Sequence, residues 1–439
     1  MPLLLSFGGN WLLPQNARAA LDFVLPRVNL TSAYLLVFGG VLLLDSIARE
    51  EGVSAGWTVY PPLSGLTFHS SSAISVAILA LHVLGLSSEG GSITFLATIL
   101  AASRNAMTPF VIDIFTWTVL VASVLLILTL PILGGGITLL FFDRNLNFSA
   151  FSSMVAGDPV LFQHLFWYFG HPEVYVIILP AFGVITVTLL GNSGLVPTIF
   201  PGMAAAIGSI GTVGFFVWAH HLYVAGISED SRIYFASATM VIAVPTAVKI
   251  FSWVSGLARK MLPSPEIALV YSFLVCFTFG GFTGVLLSNS SLDVVYHDTY
   301  FVVGHFHYVF VHRGTFCRIN LGPGRWRKNG VLYWALRNRK NVGVVCPQRN
   351  QLTIWSAALC RGRGSPEADS SIRRTAPNSG GNFQFLHFGA FGGSGITRGL
   401  GIYHRMPTHQ YPGSNPTPGH RNFTVATISI ASSPAAHSG

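Results

Sequence analysis

His297-Asp298-Thr299-Tyr300-Phe301-Val302-Val303-Gly304-His305-Phe306-His307-Tyr308 is an apolar segment with two histidines two positions apart, His305 and His307. Residues on an α-helix advance by roughly 100° each, so positions i and i+2 leave it about 200° apart. The two imidazoles therefore point out of opposite sides of one helix. They cannot share a single metal. Each can bind a separate haem iron, or each can meet a neighbouring helix as an ordinary polar contact. Spacing alone leaves both readings open, and the rest of the chain decides between them.

The surroundings are built for lipid. Of 439 residues, 51% are hydrophobic and only 9% are charged, where soluble domains carry about 25% charged residues. Apolar runs at 29–48, 70–101, 111–142, 160–191, 200–217, 230–256 and 267–288 predict an all-α polytopic membrane protein with about seven complete spans. An eighth starts near Thr299, carries the histidine pair and meets His312-Arg313-Gly314 after about 13 residues, too short to cross. Asp143-Arg144-Asn145 is read as the stop of the third span, and Pro14 and Pro26 as breaks before the first. Residues 1–28 fall short of a span and lack the basic and apolar pattern of a signal peptide. Trp57 and Tyr60 stand beside Pro61-Pro62 in a loop suited to the membrane interface. Four cysteines, Cys276, Cys317, Cys346 and Cys360, make no CxxC pattern, so neither a disulfide framework nor a zinc site is expected.

Charge divides the chain. Residues 1–312 hold 9 Lys and Arg against 14 Asp and Glu, and residues 313–439 hold 16 against 2. A basic balance raises nucleic acid as a partner. Here it is confined to a Gly-, Pro-, Ser- and Arg-rich stretch without a binding motif or interleaved aromatics, so no nucleic-acid partner is expected. That composition cannot bury enough apolar surface to order a domain. Residues 313–439 read as a disordered basic tail or as an out-of-frame product.

Ionisable residues inside membrane spans are costly and are functional candidates by default. In the fourth span, His171 and Tyr175 are i, i+4 and share a helix face. Neutral imidazole is the commonest metal ligand, and a phenol beside a metal can supply a proton and an electron. Glu173 faces another side, where an unpaired carboxyl suits a proton relay. The plain alternative is a proline-kinked helix whose polar groups are satisfied by neighbours. His220-His221 closes the fifth span, and both can reach one metal only if the helix unwinds there. With His171 they would make three imidazoles, a set that suits copper. In the sixth span, Thr246 and Lys249 are i, i+3. A mid-span lysine fits a proton path better than snorkelling. Thr186, about three turns beyond Tyr175 on the same face, could extend that path.

Together, HPEVY (171–175), WAHH (218–221), SRIYFASATM (231–240), PTAVKIFSW (245–253) and HDTYFVVGHFHY (297–308) resemble the motifs of subunit I of the haem–copper terminal oxidases. The likeness is closest to the mitochondrial cytochrome c oxidase branch and covers about residues 1–310. It implies a catalytic subunit that reduces O2 to water with electrons from cytochrome c, coupled to proton translocation, as a multi-pass protein of the mitochondrial inner membrane. It implies haem a, haem a3, copper and magnesium as cofactors. The implied partners are the copper-bearing electron-entry subunit, subunit III, cytochrome c, O2 and membrane lipid. By resemblance, His171, His220 and His221 match copper ligands, and Tyr175 matches a tyrosine covalently joined to a ligand histidine. His305 matches the axial ligand of haem a3, and His307 one axial ligand of haem a. Glu173 matches the end of one proton path, Asp22 its entrance, and Asn10 and Asn29 its course. Lys249, Thr246 and Thr186 match the second path. His297 and Asp298 match a magnesium site, and Trp57 and Tyr60 a loop close to the haem propionates.

Departures from the family set further expectations. Family members have twelve spans, and the match begins where their second span ends and stops after 312. Spans one, two, eleven and twelve have no counterpart, nor do the second haem a histidine and the propionate-binding arginines. Asn16–Leu21 also differs from the family turn near Asp22. The expectation is a chain truncated at both ends: a remnant at 1–28, an oxidase core at 29–312 and the tail at 313–439. A quinol-oxidising relative is the alternative within the superfamily. Tyr175 speaks against a nitric-oxide-reducing one. A haem-free proton-coupled transporter would need inverted repeats, and no internal symmetry is visible.

Overall fold

The computed structural model describes residues 9–10, 13, 22–49, 52–103, 112–152, 156–193, 200–258 and 265–310. These belong to the first of two compact units, Met1–Phe391. The tail expected at 313–439, and most of the remnant expected at 1–28, lie outside the described residues.

Every described element is helical. In chain order they are α1 Pro26–Ala48, α2 Ala73–Ser103, α3 Ile114–Asn145, α4 Pro159–Ser193, α5 Phe200–Gly214, a 3-10 turn Trp218–Leu222, α6 Glu229–Val241, α7 Ala243–Leu257, α8 Pro265–Ser288, α9 Ser290–Tyr296 and α10 Tyr300–Phe310. Six runs among the described residues are long and apolar enough to cross a membrane, with α6 and α7 forming one of them. The expected fifth span is the 15-residue α5, shorter than the sequence pattern indicated. The expected short eighth is α10, with 11 residues.

Three boundaries differ from the sequence reading. Pro26 opens α1 instead of breaking the chain, because a residue without an N–H costs nothing in a first turn whose donors have no intrahelical acceptor. Asp143-Arg144-Asn145 does end α3, but as its last helical residues, so the helix runs to Asn145 where the apolar pattern stopped at 142. Asp143 accepts from the Ala150 and Phe151 N–H groups at 2.8 and 2.9 Å, and Arg144 is buried. The expected helix over 230–256 divides at Ile242. Pro245 offers no N–H to the Val241 carbonyl and its ring crowds that group.

The helix α4 is the axis of the bundle and passes through both apolar cores. In one core its Val176, Leu179, Phe182 and Ile185 meet Phe115, Val119 and Ala122 of α3, Trp253 of α7, and Phe273 and Phe277 of α8. In the other its Phe162, Phe166 and Trp167 meet Ile74 and Ile78 of α2, Ile137 of α3, and Ala219 and Leu222 of the 3-10 turn. The chemistry-bearing residues of α4 lie at the junction. The helix α1 packs on α2 and leaves Tyr34, Val37, Val41 and Leu44 exposed, as suits a lipid-facing helix.

Candidate metal centre

The stretch Trp218-Ala219-His220-His221-Leu222 winds as a 3-10 turn. This is the local unwinding that two adjacent histidines need in order to converge. His220 Nε2 and His221 Nε2 lie 3.1 Å apart. His171 Nδ1, from α4, lies 3.1 Å from His220 Nε2. One ligand atom from each of the three lies within 4.8 Å of the others. Metal–imidazole bonds near 2 Å place ligand nitrogens roughly 3.4 Å apart in a trigonal site, so the three can close on one ion. His171 Nε2 is buried without a hydrogen-bond partner among the described residues. A set of three imidazoles suits copper, zinc or nickel better than magnesium or calcium. The residues therefore fit a copper ion.

Groups the sequence reading missed hold these imidazoles. Thr239 of α6 donates its hydroxyl hydrogen to the Phe235 carbonyl at 2.5 Å, so toward His220 Nδ1, 3.0 Å away, it can only accept. His220 then carries its proton on Nδ1, and Nε2 keeps a lone pair for a metal. The Trp167 ring stacks on His221 with centroids 3.7 Å apart and planes 11° apart. Trp167 Nε1 donates to the Tyr60 hydroxyl, and Trp57 packs edge-on against Trp167. Burial pushes the Tyr60 phenol up to about 12, with the Asp298 carboxylate adding to the shift. Its oxygen thus stays a neutral acceptor for Trp167 across the ordinary pH range.

Arg144 pins the loop that supplies Tyr60 and Trp57. Its buried guanidinium donates to the carbonyls of Ser64, His69 (3.1 Å) and Ser71 (2.9 Å) and to Ser75 Oγ (3.2 Å). The same loop holds Val59, a β-branched residue, at φ 53, a conformation such residues avoid.

Tyr175 lies beside the triad, its ring centroid 4.5 Å from that of His171. Gly214 makes room for it, since a Cβ there would lie 2.8 Å from Tyr175 Cδ2. Glu173 Oε2 is buried without a partner among the described residues.

The opening histidine pair sits on α10 as the spacing required. His305 Nδ1 lies 2.9 Å from the Gly280 carbonyl of α8. His307 Nδ1 lies 2.8 Å from the Val303 carbonyl, one turn back. A carbonyl can only accept, so both rings carry the proton on Nδ1 and present Nε2 as a ligand atom. Both thus fit axial haem ligation, on opposite sides of α10. His305 is close enough to His171, His220 and His221 that a proton added to it would be felt by each. A Cβ on Gly284 would lie 2.7 Å from His305 Cε1. The expected result for Gly284→Ala is displacement of the His305 ring, which as an axial ligand would cost bound haem, read as haem content per protein.

The remaining candidates divide. Asn29 Nδ2 donates to Asn10 Oδ1 at 2.8 Å, which brings the two asparagines together. Asp22 is exposed and accepts from the Phe23 N–H at 2.7 Å. Lys249 is fully buried, and its Nζ has no hydrogen-bond partner among the described residues. It stands 5.7 Å from the Phe182 ring centroid and 5.1 Å from that of Trp253. Thr186 borders the same cage, accepting from Trp253 Nε1 at 3.0 Å. Thr246, instead, bonds back to the Ile242 carbonyl at 2.9 Å.

His297 and Asp298 follow α9. His297 Nε2 is 3.7 Å from Asp298 Oδ1, and His297 Nδ1 is 3.2 Å from Asp293 Oδ2. Asp293, which is buried, joins this cluster unforeseen by the sequence reading. Its i, i+4 spacing to His297 was the available signal.

Comparison with known proteins extends the pattern. A family model described as cytochrome C and quinol oxidase polypeptide I matches residues 1–319. The chain is 46% identical over 343 residues to cytochrome c oxidase subunit 1 of Mytilus edulis, an alignment covering 75% of this chain and 60% of that protein. It is 45% identical over 355 residues to the subunit of the same name from Candida albicans, covering 78% and 66%. The chain thus spans about 60–66% of the length of these relatives. Among solved structures, a heme–copper terminal oxidase dimer shares its fold with TM-score 0.64 at 17% identity, over 89% of this chain and 70% of that one.

Proposed function

The chain belongs to the cytochrome c and quinol oxidase polypeptide I family, and from that premise we propose that it is the catalytic subunit of a terminal oxidase. In this reading it reduces O2 to water with electrons from cytochrome c, coupled to proton translocation, in the mitochondrial inner membrane. Membership brings haem and copper as the cofactor classes and a multi-subunit setting, and the apolar helices mark a multi-pass membrane protein. The observation that supports the catalytic role is the convergence of His171 Nδ1, His220 Nε2 and His221 Nε2. Cytochrome c is favoured over quinol as donor because the similar subunits at 45–46% identity bear that name.

His171, His220 and His221 would hold copper, His305 would hold haem a3, and His307 would provide one axial ligand of haem a. Bound there, the metals would supply the electrons that reduce O2. The chain's own groups do the positioning and the proton handling. The Gly280 and Val303 carbonyls orient the two axial imidazoles. Tyr175, packed on His171, offers a phenolic proton at the site. Glu173, through Oε2, and Lys249, through Nζ, are buried proton carriers without a hydrogen-bond partner among the described residues, and an atom so placed can accept and release a proton without breaking a bond. Asn10 with Asn29, and Thr186 beside Lys249, line the approaches, with Asp22 at one entrance. His297, Asp298 and Asp293 would bind magnesium.

Lys249 separates stability from function. Lys249→Met removes a buried amine that, among the described residues, two ring faces accompany. It is expected to stabilise the complex by about 1–3 kcal/mol in thermal denaturation while O2 consumption falls. A parallel loss of stability would contradict this role. The function as a whole is tested by a reduced-minus-oxidised visible spectrum of the purified complex. Haem a bands support it, and their absence overturns it.

A further inference from the structure

The Gly280 carbonyl is over-subscribed. It lies inside α8, where the helix ladder already claims it as an acceptor. The Thr283 hydroxyl also donates to it at 2.8 Å, and His305 Nδ1 approaches it at 2.9 Å. A carbonyl oxygen has two lone pairs, so these donors compete. The Thr283 oxygen itself lies 3.3 Å from His305 Nδ1. Its hydrogen is committed to Gly280, so toward His305 it can only accept. The His305 N–H therefore faces a carbonyl at an ordinary 2.9 Å that it shares with two other donors, and a more distant hydroxyl at 3.3 Å.

We propose that Thr283 is a positioning residue that weakens the His305–Gly280 hydrogen bond and so limits the electron density His305 donates through Nε2. A strong acceptor on Nδ1 gives an imidazole more imidazolate character and makes it a stronger ligand, and Thr283 holds that effect down. Gly284, which leaves room for the ring, keeps His305 within reach of both acceptors. The inference rests on the reading of His305 as a haem ligand and adds a tuning group to it.

The test is the iron–imidazole stretching band in the resonance Raman spectrum of the reduced, ligand-free complex. Thr283→Val frees the Gly280 carbonyl and is expected to move the band to higher frequency. Thr283→Ser keeps the hydroxyl and is expected to leave it at the wild-type position. Thr283→Ala removes the hydroxyl without adding bulk. It should shift the band as valine does, so the proposal stays testable if the valine protein does not assemble. An unmoved band in Thr283→Ala overturns the proposal. So does an equal shift in Thr283→Ser, which would trace the effect to packing. A wild-type complex with haem but no such band, or with no haem, overturns the reading of His305 and the proposal with it. A band that is present but insensitive overturns the proposal alone.

Discussion

Purified His171→Gln protein is expected to lose its triad copper while keeping the haem on His305. The three ligand atoms come from two elements, α4 and the 3-10 turn. Removing His171 leaves two nitrogens from one short turn, His220 Nε2 and His221 Nε2, 3.1 Å apart. Two imidazoles cannot complete a site that needs three. The loss in affinity should exceed the ~10–100-fold typical of removing an outer partner. His305 is held from the other direction, by Gly280 and Thr283 of α8, so its haem should survive. Copper content, haem content and O2 consumption measured together check this. Copper retained at the wild-type ratio would mean that the triad is not its site.

The second large effect lies away from the metals. Arg144→Leu is expected to destabilise the complex by about 3 kcal/mol or more, since each buried acceptor left without its donor costs about 1–3 kcal/mol. Three loop carbonyls lose their donor at once. The loop also stores strain at Val59, on the order of 1–3 kcal/mol, which the guanidinium helps to hold. Once released, the loop withdraws Tyr60 from Trp167 and loosens the ring stacked on His221. Thermal denaturation of wild-type and variant complexes, with copper content followed in parallel, measures both consequences. Arg144→Lys should fall between them, because a single ammonium cannot span the same fan of acceptors. A leucine variant as stable as wild type would show that the loop is held by its aromatic packing instead.

Legibility in the sequence followed a physical rule. Residues whose chemistry is costly in lipid announced themselves: His171, Glu173, Lys249, His305 and His307 stand out in apolar runs. The requirement that the chain unwind at His220-His221 could be stated in advance, because two adjacent side chains cannot converge on an α-helix. What stayed hidden was the layer behind them. Thr239, Thr283, Trp167 and Gly284 are common residues in membrane helices, and their roles depend on a partner from a distant part of the chain. Arg144 was read only as part of a helix stop, since nothing local indicates that carbonyls 73 to 80 positions away would satisfy it. Pro245 carried the break between α6 and α7 in plain view, but the apolar run across it read as continuous. Asp293 was within reach of pattern reading through its spacing to His297. The magnesium assignment to His297 and Asp298 came from resemblance, which named no second carboxylate.

The central claim is that a haem iron on His305 faces a copper on His171, His220 and His221. Low-temperature infrared spectroscopy after photolysis of carbon monoxide from the reduced haem tests it most directly. The expected result is transfer of the released carbon monoxide to copper, seen as a new band in the copper–carbonyl region that disappears in His171→Gln. Rebinding to iron with no copper-bound band in the wild-type complex would contradict it.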